Sequence, residues 1–473
     1  MSAATPAAAR ADHGSFRDRE GRVYLLGDRV FRGLSKKALD HFRSLRETIF
    51  YRAFSAAGSI IATRELAPQD WPQSVPAWAG FVEHQRVPFI SYPYEWTFTM
   101  LRDAAILQLQ LLEAALGEGW SMKDASPYNV QFVRGKPVFI DVPSFEPWRD
   151  GEPWSGYRQF CEMNLFPLML QAYKGLHFQP FMRSSIGGID LQVAARLFGM
   201  RDRLRPGVAS HVWLQAWLDQ KYGDSRRNLR SELGAAGFRR ELVLANVRRL
   251  LKLLRHLQWT DARSEWGDYE EFHNYSGADQ SAKLAFVAAA ARNSGAQIAW
   301  DMGCNTGRFS IAVAAHCPLV LAIDADHLAV DRLFRNANAL QKGHILPLVQ
   351  NLADPSPNWG WNLRERSNLA ARGRPGLVLC LALVHHLVIG ANVPLDSVID
   401  WLSDLGGELV IEFVHRDDEK VQQLLRNRID EYHDYCLENF EFSLSRKYEV
   451  IEKLSLSSGL RMLYYCRSKH ATG

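Results

Sequence analysis

The sequence predicts an α/β protein in two parts: a mostly parallel sheet flanked by helices in the C-terminal half, and an α+β assembly before it. Three observations predict this. From Gln297 onward, short apolar runs alternate with helix-length stretches; after Tyr448 the pattern changes to two strand-like runs joined by a very short loop; and the first half follows neither pattern. The 473 residues allow two or three domains at roughly 150 residues each.

In the C-terminal half, residues 298–300, 319–323, 377–381 and 409–411 read as buried strands, and residues 308–316, 328–341 and 398–405 as the helices between them. Such alternation predicts βαβ units and right-handed crossovers. Residues 448–456 and 460–467 are joined by Ser457-Ser458-Gly459. A loop this short makes only an antiparallel hairpin, since a parallel return needs about a dozen residues. The sheet is therefore expected to end with a reversed strand.

The first half has an irregular basic start, a helix over 98–116, a hairpin over 130–141 turning at Arg134-Gly135-Lys136-Pro137, and further helices over 157–176 and 191–198. Between the halves, Leu242, Val243, Val247, Leu250, Leu251, Leu254 and Leu257 fall at helical spacing opposite Arg248, Arg249, Lys252 and Arg255, which is the pattern of an amphipathic helix. The domain boundary is placed just after it, giving domains of 1–258 and 259–473.

Composition narrows the class. An apolar fraction of 47% and a charged fraction of 23% are those of an ordinary globular protein. No apolar run approaches the roughly 18 residues of a membrane span, and the Ala-rich start lacks a secretory core, so a cytoplasmic chain is expected. Six cysteines with no C-x-x-C pair argue against a zinc site and a disulfide framework. A net charge of +4 does not by itself argue for nucleic acid.

The residues that carry chemistry begin at Asp301-Met302-Gly303-Cys304-Asn305-Thr306-Gly307-Arg308, where a strand hands over to a helix. Gly303 permits a turn that lets a ligand approach the backbone, and Gly307 lets the helix start close to the sheet. Asp301, at the strand end, is placed to meet a cation. Asp324 ends the second strand, where an acid can accept both hydroxyls of a ribose. Asp354 lies beyond the third and could bond an exocyclic amine. Acids at three successive strand ends describe a ligand with a positive group, a ribose and an adenine, which is S-adenosylmethionine.

Over about the last 200 residues the sequence thus resembles the class I S-adenosylmethionine-dependent methyltransferases. The resemblance implies a Rossmann-like seven-stranded sheet whose terminal hairpin inserts one antiparallel strand. It also implies that Asp301, Gly303 and Gly307 hold the methionyl part, Asp324 the ribose and Asp354 the adenine, with Asn305 replacing the usual middle glycine. Asn tolerates left-handed backbone better than most residues. An NAD-dependent dehydrogenase would also carry a glycine-rich first loop, but the Gly-x-Gly-x-x-Gly spacing is missing.

A general base, where the acceptor starts protonated, should sit at the end of the fourth strand, which offers His385 and His386. Strand capping is the plain alternative for both. Glu412, ending the fifth strand, is a second candidate. Trp266, Tyr269, Phe272, His273 and Tyr275 form an aromatic segment suited to closing over cofactor or acceptor, or simply to packing.

In the first half, Met122-Lys123-Asp124-Ala125-Ser126-Pro127-Tyr128-Asn129 runs into the hairpin that ends at Asp141. This resembles the catalytic and metal loops of protein-kinase-like phosphotransferases, which implies Asp124 as the catalytic Asp and Asn129 and Asp141 as metal ligands, with magnesium and ATP as possible cofactors. Met122 and Lys123 replace the usual His and Arg, and Val142-Pro143 follows Asp141 in place of Phe-Gly. For the phosphate-binding lysine only Arg29, Arg32, Lys36 and Lys37 offer themselves. Asp and Asn as turn residues are the plain alternative.

A degenerate kinase-like half joined to a class I methyltransferase half resembles the bacterial nodulation NoeA-type methyltransferases, and implies a methyl acceptor bound or regulated through the first half. A bifunctional enzyme that also transfers phosphate is the other reading. The cluster Arg226, Arg227, Arg230, Arg239, Arg240, Arg248, Arg249, Lys252 and Arg255 could meet RNA phosphates or anionic lipid, but with Glu232 and Glu241 in it and no stacking-aromatic motif it reads as a solvated helix face. A small molecule or saccharide is therefore favoured as acceptor over RNA or protein.

Overall fold

A computed structural model describes residues 9–222, 239–260, 277–426, 428 and 431–469. They fall into two compact units, one running to Thr260 and taking in Asn358–Ser367, the other comprising the remainder.

The first unit begins with an antiparallel sheet, not with the irregular stretch expected. Strands β1 (Arg10–Ala11), β2 (Gly21–Leu26), β3 (Arg29–Leu34), β4 (Thr63–Glu65) and β5 (Gly80–His84) lie in the order β1-β2-β3-β5-β4. Their apolar signal is thin because the face that carries Tyr24, Phe31 and Phe81 also carries Arg29 and Arg64, both paired with Glu83. The helix Phe98–Gly117 is capped by the Thr97 side chain, which accepts from the Met100 N–H, and is apolar nearly all round because it is buried. Around it, β6 (Trp120–Met122) pairs with β9 (Phe145–Pro147), and β7 (Val130–Val133) with β8 (Lys136–Phe139). The latter hairpin turns at Arg134 (φ 51°) and Gly135 (φ 75°), the two positive angles that a two-residue turn favours.

The basic helix, Arg240–His256, lays Val243, Val247, Leu250, Leu251 and Leu254 inward against Phe98–Gly117, and Arg248 Nε donates to Glu113 at 2.7 Å. Its described cations lie on the solvated face; Arg226, Arg227, Arg230 and Glu232 lie outside the described residues.

Ten residues that follow the third strand of the other unit in sequence, Asn358–Ser367, belong to this first unit. Arg17 donates from Nε and Nη2 to the two oxygens of buried Glu365, at 2.6 and 2.9 Å. The Ser367 N–H bonds the Tyr92 hydroxyl at 3.0 Å, and the Arg366 guanidinium lies 4.3 Å from the Tyr128 ring centre. Nothing in the sequence pattern announces this excursion.

In the second unit, β10 (Ile298–Met302), β11 (Leu319–Asp324), β12 (Ile345–Val349), β13 (Leu377–Cys380), β14 (Glu408–Val414), β15 (Tyr448–Ser455) and β16 (Arg461–Ser468) form a seven-stranded sheet in the order β12-β11-β10-β13-β14-β16-β15. Neighbours among the first five strands run parallel, and β16 is antiparallel to both β14 and β15, which is the reversed strand that the short Ser457–Gly459 loop requires. The strand order reverses at β10, with β11 on one side and β13 on the other, so the tips of these two and of β10 enclose the crevice where open α/β sheets bind ligands. Among the described residues no helix is long and apolar enough to cross a membrane. The six cysteines are unpaired, and all but half-buried Cys436 are buried.

Candidate functional site

At the tip of β10 the chain turns through Gly303 (φ 79°) and Asn305 (φ 49°), and the helix Arg308–Val313 starts from Gly307 (φ 85°). A Cβ on Gly307 would lie 2.3 Å from Leu333 Cδ1, so glycine is required there by packing as well as by angle. The Gly303 and Cys304 N–H groups both donate to the Ile323 carbonyl, at 2.8 and 3.1 Å, and the Asn305 N–H donates to Asp324 Oδ2 at 2.8 Å. The turn is thus tied to the end of β11. The helix is shorter than the expected 308–316, and three of the turn's N–H groups are spent on the end of β11.

This turn forms one wall of a cavity of about 360 Å³. Gly303, Cys304, Asn305 and Thr306 line it with Asp324 and Ala325 from the tip of β11, residues 350–353 after β12, and Leu381, Ala382, Leu383, His386, Leu387 and Ala391 after β13. Gln280, Lys283, Arg308 and Phe309 complete it from the helix Gly277–Ser294 and the helix after the turn. The size and mixed lining are those of a small-molecule site.

The expected residues meet different fates here. Gly303, Asn305, Asp324 and His386 line the cavity. Asp301 does not: it is buried beneath the turn, where the Ser310 hydroxyl donates to Oδ2 at 2.5 Å and burial raises its carboxyl to about 6. It supports the turn from below and lies outside the lining. Asp354 is exposed and stands outside the lining, so the wall after β12 is made by Gln350, Asn351, Leu352 and Ala353 in place of an acid. The Gln350 backbone N–H is fixed to the Asp324 carbonyl at 2.8 Å. Burial raises the Asp324 carboxyl, partly offset by the N–H groups of Asp326 and Asn305.

His385 and His386 separate. His386 reaches the cavity, and burial, with Arg461 next, lowers its pKa to about 4. His385 is wholly buried with its ring centre 4.2 Å from that of His386 and tilted 39° to it, and neither of its ring nitrogens has a hydrogen-bond partner among the described residues. Glu412, the second candidate for acting on an acceptor, does not line the cavity. It is wholly buried and receives a hydrogen bond from Lys283 Nζ at 2.5 Å. Burial lowers the Lys283 pKa against the pull of Glu412.

Lys283, Gln280, Arg308 and Phe309 were missed from the sequence. The available signal was Lys283 itself, a charge that shares the buried side of the helix before the first strand with Phe286, Val287, Ala290 and Ala291. The aromatic residues Trp266, Tyr269, Phe272, His273 and Tyr275 lie outside the described residues.

In the first unit, Asp124, Asn129 and Asp141 are brought together, as the loop spacing expects. The Asn129 side chain bonds Asp124, whose Oδ1 also takes the Ser126 N–H at 3.0 Å. Burial, and then the charge of Asp141, raises the Asp124 carboxyl. Asp141, however, is already occupied: Arg32 Nη1 donates to one of its oxygens and the Ser144 hydroxyl to the other. Burial alone would raise Asp141, but Arg32, Ser144 and Lys123 together outweigh it and hold the carboxyl below its usual range. With a guanidinium seated on the acid that should hold a metal, the residues present do not fit a magnesium-ATP site. Among the described residues no group of three His, Cys, Asp or Glu side chains could hold a metal ion.

No family model matches the sequence. Over 453 residues it is 32% identical to the nodulation protein NoeA of Rhizobium meliloti (strain 1021), covering 95% of this chain and 94% of that protein. Among solved structures, the N-methyltransferase NodS from Bradyrhizobium japonicum WM9 in complex with S-adenosyl-L-homocysteine is 15% identical, covering 41% of this chain and 88% of that one at a TM-score of 0.31. The magnesium protoporphyrin IX methyltransferase of Synechocystis PCC 6803 is 19% identical, covering 41% and 84% at a TM-score of 0.28. Neither likeness is close enough to carry a residue's role.

Proposed function

The chain belongs to the family of the nodulation protein NoeA, and from that premise we propose that it is an S-adenosylmethionine-dependent methyltransferase with its cofactor across the tips of β10, β11, β12 and β13. The observation that carries this reading is the cavity of about 360 Å³ lined together by the glycine turn, Asp324 and residues 350–353.

The cofactor supplies a methyl group on a sulfonium. The chain's own contribution is to hold and align, and alignment of two reactants can supply on the order of 7–11 kcal/mol of a barrier. Asp324 accepts one backbone N–H on each oxygen, from Asn305 and Asp326, and an ionised carboxylate has about four lone-pair sites. Capacity for the two hydroxyls of a ribose remains. Gly303 and Asn305 let the turn lie close to the ligand, and Gln350 to Ala353 flank the base. Asp301 keeps the turn in place through Ser310.

His386 is the base candidate on the cavity wall. With its pKa lowered to about 4 it is neutral at pH 7, so a ring nitrogen is free of charge and can orient an acceptor's proton as a weak base. The acceptor is a small molecule or saccharide, a reading supported by the small cavity and its wall of Leu381, Leu383, Leu387 and Ala391. The first unit, with Arg32 on Asp141, serves acceptor recognition or regulation.

Calorimetric titration with S-adenosylhomocysteine tests the site. One saturable site is expected, weakened at least about 100-fold by Gly303→Arg, which places a long cation in the turn. A parent that binds nothing, or a variant that binds as well, would overturn the reading. Transfer of labelled methyl into fractionated extract then reports the chemical class of the acceptor.

A further inference from the structure

The stretch of cavity wall after β13 is a widened turn. Residues His386–Gly390 wind as a single π turn, which buries Leu387, Val388 and Ile389 and brings His386, Leu387 and, just past its end, Ala391 to the cavity. Such turns are rare and are frequent at functional sites. Asn392 follows in the left-handed region at φ 57°. A helix that stops here leaves carbonyls that need donors from elsewhere.

Those donors come from 38 and 40 residues further along the chain, in the segment after β14. Arg428 Nη2 donates to the Gly390 carbonyl at 2.9 Å and Nη1 to the Tyr432 hydroxyl at 3.1 Å; that hydroxyl donates in turn to Asn392 Oδ1. Arg416 Nη1 holds the Tyr432 carbonyl at 2.5 Å. A closed circuit of side chains thus grips the chain on both flanks of Ala391, the residue that lines the cavity.

Arg428 is exposed and Tyr432 half-buried, and hydrogen bonds that water can replace add little to stability. The apolar side of the turn already packs on the helix Glu419–Leu425, whose Val421 and Leu425 are buried. What the circuit adds is the placing of the wall. The glycine turn opposite is tied to the end of β11 by its own N–H groups, so the two sides of the cavity are fixed separately.

We propose that Arg428 and Tyr432 are positioning residues for the methyl acceptor: acting through Gly390 and Asn392, they set the wall of Leu387 and Ala391 and the place of His386 on it. This rests on the methyltransferase reading and gives the acceptor's side of the cavity to the segment after β14.

Three variants of the full chain test it: Arg428→Ala; Arg428→Lys, which keeps one donor for Gly390; and Tyr432→Phe, which removes a hydroxyl and no charge. Affinity for S-adenosylhomocysteine should stay within about twofold of the parent in all three. The His386 ring, followed by NMR with His386→Gln to assign its signal, should not stay as it was. Burial holds it low in the parent, with Arg461 and Lys420 next. A loosened turn admits water, so in Arg428→Ala and Tyr432→Phe its midpoint should move from about 4 to about 5 or above, a gain of about tenfold in proton affinity, with Arg428→Lys between. Labelled-methyl transfer into the extract fraction that the parent labels should slow by about tenfold or more in Arg428→Ala, with KM for S-adenosylmethionine unchanged.

A ring that titrates alike in parent and variants overturns the inference. So does a loss of cofactor affinity as large as the loss of rate, which would make the circuit a support of the whole cavity. A parent that binds no cofactor or labels no fraction overturns the methyltransferase reading instead, and the ring titration still decides whether the circuit sets the wall.

Discussion

At the strand tips of the second unit, Asp324 lines a cavity of about 360 Å³ while its oxygens hold only backbone N–H groups; in the first unit, Asp141 lies with one oxygen on Arg32 and the other on Ser144. Both acids sit at the end of a short strand, in a loop of turn-forming residues. What separates them is the origin of the counter-charge. Asp141 draws a cation from β3, 109 residues away in sequence, and its valences are closed. Asp324 draws only neutral dipoles, one from its own loop and one from the glycine turn, and remains able to take a ligand. Loop spacing settles where a carboxylate stands, and a distant strand settles whether it is still available.

The largest effect expected from this contrast is on Arg32. Arg32→Ala leaves Asp141 largely buried without its counter-charge and should cost about 3 kcal/mol, read as a fall in the urea midpoint of the full chain. Cofactor binding in the second unit should be unchanged. In the parent, magnesium with ATP should leave the melting temperature where it was. A rise in the parent that vanishes in Asp141→Asn would show the first unit's acid to be open after all, and the contrast would fail.

Next in size is an opposition in pH. Asp141 titrates below its usual value, so its ionised form contributes stability that is present at neutral pH and lost as the pH falls through its folded pKa. Asp301 has the reverse sign. Its carboxyl is raised to about 6 from 3.8, the folded state holds the proton longer than the unfolded chain, and stability falls as the pH rises from about 4 to 6 and stays lost above. Asp301→Asn, which keeps an acceptor for Ser310, should therefore gain on the parent by on the order of 2–3 kcal/mol between pH 4 and pH 8. Unfolding both proteins in urea at the two pH values checks this; a constant difference would mean that the acid is not held protonated by burial.

Much of the second unit was legible in the sequence because parallel strands buried on both faces must be written as near-continuous apolar runs, and because a short loop such as Ser457–Gly459 permits one geometry. The glycine turn was legible for the same kind of reason: Gly303 and Gly307 occupy angles that few other residues take. Side-chain direction was not. Whether Asp301 points up into the crevice or down onto Ser310, and whether His385 or His386 reaches it, depends on a rotation of one residue that no spacing reveals. The sheet of the first unit was hidden by its arginines, and the Asn358–Ser367 excursion by being held through single side chains, Glu365 and Arg366, instead of through a periodic face.

The smallest effect concerns two residues in the left-handed backbone region without being glycine: Ala382 (φ 49°) on the cavity wall, and Arg134 (φ 51°) in the hairpin of the first unit. An L-residue pays about 1–2 kcal/mol for this conformation, and glycine relieves it at roughly 0.5–1 kcal/mol of added chain entropy. Ala382→Gly and Arg134→Gly should therefore each stabilise by no more than about 1 kcal/mol. Their consequences should then part. At Arg134 the turn is solely a connector, and S-adenosylhomocysteine should bind unchanged. At Ala382 the angle sets the course of the chain from β13 into Leu383 and His386, and strain of this kind is kept where the surrounding structure needs it. Loss of about twofold in affinity at Ala382→Gly, with none at Arg134→Gly, would show that the second unit holds strain for its cavity while the first holds it for a bend. Equal behaviour in calorimetry would reduce both to turns.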